Sequence, residues 1–150
     1  MSNAYDETER PGPDLEHRPP PGMSDTALDA LGKLSEALET TERARGHLYS
    51  FHQLTGHADL QLDDAVRLLR ESGHSEYADV VEREILGRNV IPGHWTFQIA
   101  EAYDATYYRP FAAVEEQVRQ GLADGRRHLY EARMKENRRT RGHPDHTAGP

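Results

Sequence analysis

The sequence predicts an all-α protein: an antiparallel bundle of about five helices behind a disordered N-terminal tail, with a loose basic C-terminus. Three observations lead there. Leucine, isoleucine and valine recur at steps of three and four from residue 24 to about residue 135, which gathers them on one face of successive helices. Glycine and proline punctuate that pattern at spacings suited to helix ends. No stretch of useful length alternates apolar and polar residues, so no strand is expected, and no internal repeat is present.

Residues 1–23 form the expected tail. The first 22 hold five prolines and almost nothing apolar, too little burial to offset the entropy of ordering. Met23 opens a stretch, MSDTALDAL, that reads as a natural start. Asp6, Glu7 and Glu9, with no apolar run beside them, fit neither a signal peptide nor a transit peptide.

The bundle domain is expected over 24–135. Ser24 or Asp25 can cap the first helix through a side-chain oxygen. Leu28, Leu31, Leu34 and Leu38 form its apolar stripe, which continues as Arg45, Leu48 and His52 and so turns partly polar; Gly56 is its expected stop. Asp59 begins a second helix with Leu62, Ala65, Val66 and Leu69 inward and Gly73 at its end. Ser75 caps a short third helix with Tyr77, Val80, Val81 and Ile85 inward, closed by Gly87. Helices two and three read as a short antiparallel pair.

The stretch 88–94 is a connector, with Pro92 and Gly93 as turn residues. A fourth helix runs from about Trp95 to Tyr108. Trp95, Ile99, Ala102, Tyr103 and Thr106 fall on one side, Phe97, Glu101, Asp104 and Tyr108 on the other, so contact on both sides is expected. Pro110 either opens a fifth helix, where its missing donor costs nothing, or kinks a longer one. Phe111, Val114, Val118, Leu122 and Leu129 supply the next stripe. Gly121 and Gly125 either admit a close neighbour or, at Asp124-Gly125, mark a turn. Residues 136–150 form the expected flexible basic tail.

Composition narrows the function. The 150 residues carry a net charge of −8 and no cysteine, which excludes disulfides, thiolate metal sites and a thiol nucleophile and accords with a cytoplasmic protein. No segment approaches the roughly 18 apolar residues that a membrane-spanning helix needs, so no membrane partner is expected. Residues 58–87 carry −5 and residues 126–150 carry +4. An acidic body repels phosphates, so nucleic acid is an unlikely partner except through 126–141.

Two clusters stand out. Six of the eleven aromatic residues (Trp95, Phe97, Tyr103, Tyr107, Tyr108 and Phe111) lie within 17 positions. They either fill the core or line an interface or pocket, with His94, Glu101, Asp104 and Arg109 as polar partners. Glu42, Arg45, Tyr49 and His52 lie along one side of the first helix. Facing helix four, they would form either a paired charge network inside the bundle or a ligand pocket.

No metal or other cofactor is expected. His47, His52 and His57 are five apart, so each step turns about 140° around the axis and they cannot share an ion. The only Glu-x-x-His, Glu71 to His74, straddles a helix-ending glycine, and His143-x-x-His146 lies in the loose tail. No nucleophile elbow or phosphate-binding glycine loop occurs. Glu101, Asp104 and His94 would be the acid–base group if there were one, but the balance leans away from an enzyme.

The stretches RARGHLYSFHQLTGHADLQLDDAVRLLRESGH and LGRNVIPGHWTFQIAEAYDATYY resemble small, uncharacterised helical proteins of actinobacteria, across about residues 24–146. The resemblance implies the helical fold and brings no activity with it. The leading expectation is therefore a non-enzymatic interaction or regulatory module that uses segment 94–111 to bind a protein partner or a second copy of itself. The alternatives are a small-ligand-binding or enzymatic bundle with a polar pocket between helices one and four, and nucleic-acid contact through 126–141.

Overall fold

The computed structural model describes residues 12–150. Its elements are a 3-10 turn Leu15–His17, then helices α1 (Asp25–Glu71), α2 (Ser75–Glu84) and α3 (Thr96–Tyr103), a π-helical turn Asp104–Tyr108, and helices α4 (Arg109–Ala123) and α5 (Leu129–Arg138). The protein is mostly helical, with no strand among the described residues; Ile91 and His94 form one isolated bridge in the connector.

About five helices were expected, and two pairs of them are fused. The first and second form the single 47-residue α1, so Gly56 is not a stop and Asp59 is not a helix start. Gly56 lacks the left-handed backbone that ends a helix, whereas Gly73 (φ 84°) and Gly87 (φ 67°) have it. At Gly73 the end is a Schellman turn: His74 N–H donates to Leu69 O (2.8 Å) and Gly73 N–H to Arg70 O (3.1 Å). The fourth and fifth are also one run, joined by the π-helical turn. Pro110 has no N–H to give Thr106 O, and the backbone there takes the wider i→i+5 pattern, with Arg109 N–H on Asp104 O.

The chain divides into two compact units. The first joins the described part of Met1–Glu39 to Phe111–Pro150. Its core is Leu28, Leu31, Ala123 and Leu129, flanked by Met23 and Val118. The α4 stripe differs from expectation. Val114 and Leu122 are exposed, and Glu115, Arg119 and Ala123 face inward. Ser35 Oγ donates to Glu115 Oε1 (3.0 Å), Arg119 Nε reaches Glu115 (3.3 Å) and Arg119 Nη1 caps Gly125 O (2.8 Å). The Asp124-Gly125 reading as a turn holds, both residues having positive φ. Nothing lies within 4 Å of where a Gly121 Cβ would be, so that glycine admits no neighbour.

In the same unit α5 docks on α1 by a close approach at Gly32, where an added Cβ would stand 2.7 Å from the Tyr130 ring. The Arg133 guanidinium lies over that ring, 5.2 Å from its centre, and pairs with Asp29. Part of the expected disordered tail, residues 1–11, lies outside the described residues. Residues 12–22 carry the 3-10 turn, capped by Asp14 Oδ1 on His17 N–H (3.0 Å), and Arg126 Nη1 donates to Arg18 O (2.7 Å).

The second unit, Thr40–Pro110, holds the second half of α1 with α2, α3 and the π-helical turn. Arg70 of α1 reaches both Asp79 (2.9 Å) and Glu82 (2.6 Å) of α2, so the chain folds back on itself after Gly73. Its buried apolar residues are small in number and size: Val66, Ala78 and Ala100. The inward face of α2 is Ala78 with Val81 half-buried; Tyr77, Val80 and Ile85, expected inside, are exposed. Ser75 is the first helical residue rather than a cap, and His74 occupies the cap position without a side-chain bond.

Candidate functional site

The second unit carries two neighbouring features, both reached from the α1 face that the sequence singled out. One is a charge clasp. Arg45 meets Asp104 in a two-pronged pair, Nε to Oδ1 at 2.6 Å and Nη2 to Oδ2 at 3.0 Å. Tyr49 Oη donates to Asp104 Oδ2 (2.9 Å), and Tyr108 Oη donates to Glu42 Oε1 (3.0 Å). The Arg45 guanidinium lies 5.0 Å from the Tyr49 ring centre and 4.9 Å from that of Tyr108, within cation–π range.

The electrostatics of the clasp follow from those bonds. The Arg45 hydrogen bond, with help from Tyr49 and against partial burial, holds the Asp104 carboxyl below the ordinary carboxylate range. Asp104 in turn raises Arg45. Glu42 and partial burial push the Tyr108 phenol up. Asp104, only 8% exposed, opens the π-helical turn, so the clasp pins the point where the helical pattern changes.

The other feature is an open groove of about 620 Å³. Ala58 and Leu62 of α1 form one wall, and Ile85, Val90 and Trp95 supply the remaining apolar surface. Asp59, Arg88 and His94 are its titratable lining. Asp59, expected to start a helix, instead accepts the Gly87 N–H through Oδ1 (2.7 Å) and secures the loop that forms the far wall. His52 Nδ1 meets Thr96 Oγ1 at 2.7 Å and ties α1 to the first residue of α3 at the groove's edge.

The structure therefore brings together Glu42, Arg45, Tyr49, Asp104 and Tyr108. It sets His52 beside Thr96, and places His94 and Trp95 in the groove. Glu101 is exposed, and no polar contact joins its carboxylate to Asp104 or His94, so that acid–base trio does not assemble. Arg109 is exposed, acting on Asp104 only through space. The aromatic segment does not fill a core. Trp95 is 62% exposed and Tyr107 52%, Phe97 is exposed as well, and Tyr103, Tyr108 and Phe111 are half-buried. Trp95 and Phe97 meet in a tilted contact, ring centres 5.5 Å apart and planes at 55°.

Sequence reasoning missed the groove's far wall, Ile85 and Val90, and the role of Asp59. The signal for Asp59 was ambiguous, since an aspartate before an apolar run caps helices and loops alike. Among the described residues no helix is long and apolar enough to cross a membrane, and no group of three or more histidines and carboxylates is arranged to hold a metal ion.

No known family model, curated protein or solved structure matches this chain.

Proposed function

We propose that the chain is a non-enzymatic interaction module whose groove, with Trp95 at its mouth, closes against a second copy of the same chain. The observation that carries this reading is the exposure of large apolar side chains on one face of the second unit. Phe51 and Leu54 stand two turns and one turn before Ala58 on α1, continuing the groove wall, and Leu54 is 65% exposed. With Ile85, Val90, Trp95 and Phe97 they show on the order of 500 Å² of apolar surface, about what one side of a standard interface contributes.

Charge favours a copy as occupant. The groove lining carries one carboxylate, Asp59, and one guanidinium, Arg88. It is thus electrically balanced, and a two-fold pairing sets no like charges against each other by necessity. The rival reading, a catalytic or ligand site in the polar cluster, is less supported. Arg45, Asp104, Tyr49, Tyr108 and Glu42 spend their hydrogen bonds on one another. Among the described residues no carboxylate orients His52 as a base toward Thr96. The nucleic-acid reading is weakened in the same way. Of the basic residues in 126–141, Arg133 is held by Asp29, Arg139 and Arg141 by Glu136, and Arg126 by the Arg18 carbonyl.

The test is sedimentation equilibrium from 1 to 100 µM on the full chain and on Leu54→Glu and Trp95→Ala. The reading predicts a dimer that each variant weakens at least tenfold, since losing a buried aromatic anchor, or setting a carboxylate into the apolar contact, costs about 1.4 kcal/mol or more. Circular dichroism of both variants should match the parent. A folded parent that remains monomeric to 100 µM contradicts the reading.

A further inference from the structure

The last ten residues contain an arrangement of histidines that the groove does not involve. Residues 140–146 turn back over the end of α5 through two imidazoles that act as acceptors. Thr140 N–H donates to His146 Nδ1 (3.0 Å), and Asp145 N–H donates to His143 Nδ1 (3.1 Å). Backbone bonds His143 N–H to Thr140 O (3.3 Å) and His146 N–H to His143 O (3.0 Å) complete the turn. The two rings lie 4.4 Å apart. Arg139 Nη1 reaches His146 O (3.4 Å), and the Arg139 side chain is 2% exposed beneath the turn.

An Nδ1 that accepts a backbone N–H carries no proton. Protonating it removes an acceptor and presents a donor to a donor. Both imidazoles of this turn are in that position, and they face each other. We infer that residues 140–146 are a pH-operated cover over the basic end of α5, closed when His143 and His146 are neutral and opened when they take up protons.

The surroundings favour opening. Arg139 and Arg141 carry charges of the same sign as an imidazolium. The anions nearby are Glu136, already paired with both arginines, Asp145 within the turn, and Glu131. Glu131 lines the hollow under His146, together with Lys135, Arg138 and Arg139. From the N-terminal side Asp14 approaches Gly149, and its carboxylate is occupied by His17. His17 offers the contrast. Its Nδ1 sits 2.6 Å from a carboxylate oxygen, a position that protonation strengthens.

Two net positive charges then meet Arg139 and Arg141 with their carboxylates already spent. The sign follows: the cover is intact while both Nδ1 atoms accept, and acidification that protonates them removes it. Opening exposes Arg139, and the two protons add to a segment, 126–150, that already carries +4. The device converts acidification into a more cationic, more accessible chain end.

The experiment is residue-resolved amide exchange by NMR on the full chain at pH 7.5 and pH 5.0, expressed as protection relative to the intrinsic rate at each pH. The inference predicts that Thr140 and Asp145 lose about tenfold protection at pH 5.0 while amides in the centre of α5 keep theirs. In His143→Ala/His146→Ala both amides should already be unprotected at pH 7.5, with no further change on acidification. Equal protection of both amides at the two pH values overturns it, as does an undiminished pH response in the double variant.

Discussion

Single residues decide much of what stabilises each unit from within. Glu115 and Arg119 are 6% and 5% exposed and bonded to each other, to Ser35 and to the Gly125 carbonyl. Removing one partner leaves the other charge buried. Glu115→Ala should therefore cost about 3 kcal/mol in urea unfolding, whereas Arg119 and Glu115 replaced together by Met and Leu should cost far less. At Gly32 a methyl group would enter the Tyr130 ring, so Gly32→Ala should destabilise by about 1–3 kcal/mol and loosen α5, seen as lost protection in Leu129–Arg138. The clasp has a pH signature at each end. Asp104 is shifted down, so its contribution is present above the unfolded carboxylate range and lost as the pH falls through the lowered value. Tyr108 is shifted up, so its contribution is present below the ordinary phenol range and lost as the pH rises through the raised value. Melting temperature against pH should fall at both extremes in the parent, and Tyr108→Phe should abolish the alkaline component from this residue. The polar stripe Glu42, Arg45, Tyr49 was legible because helical spacing fixes a face. The buried Glu115–Arg119 pair was not, because inward charges on α4 break the rule that the periodicity of apolar residues relies on.

At the scale of elements, glycine was the ambiguous sign. Gly56, Gly73 and Gly87 all follow apolar stretches, and only the last two take a left-handed backbone, Gly73 at the end of α1 and Gly87 in the turn after α2. What separates them is the next few residues. Gly73 and Gly87 precede a new cap or a proline-bearing connector. After Gly56, by contrast, Leu62, Ala65, Val66 and Leu69 continue the inward face, and their packing outweighs a helical glycine's cost of about 1 kcal/mol. This yields a prediction with opposite signs. Gly56→Ala, with open space around it, should stabilise the protein by about 0.5–1 kcal/mol; Gly87→Ala, at φ 67°, should destabilise it by about 1 kcal/mol. A destabilising Gly56→Ala would mean that α1 breaks there. Pro110 shows the other limit of pattern reading. Sequence offered a kink or a fresh start, and the chain takes a third course, a π-helical turn that absorbs the missing donor and leaves the run through Thr96–Ala123 unbroken.

For the molecule as a whole, the all-helical composition was readable because apolar spacing and turn residues agreed along the chain. The aromatic segment was read as either core or interface, and three of its six rings, those of Trp95, Phe97 and Tyr107, lie open to solvent. No pattern separates those outcomes within one chain, because an interface and a core present the same side chains to the same kind of surface. The thin interior of the second unit is the physical reason to look for a second copy: Val66, Ala78 and Ala100 bury little, while Leu54, Trp95 and their neighbours remain uncovered. Trp95 is the only tryptophan, so its emission reports on that face alone. The most direct measurement is Trp95 emission and acrylamide quenching as the protein is diluted from 100 µM to below 1 µM. The account predicts a blue-shifted, poorly quenched tryptophan at high concentration that shifts red and becomes quenchable on dilution, following the sedimentation curve. A red-shifted, freely quenched Trp95 at every concentration would contradict it.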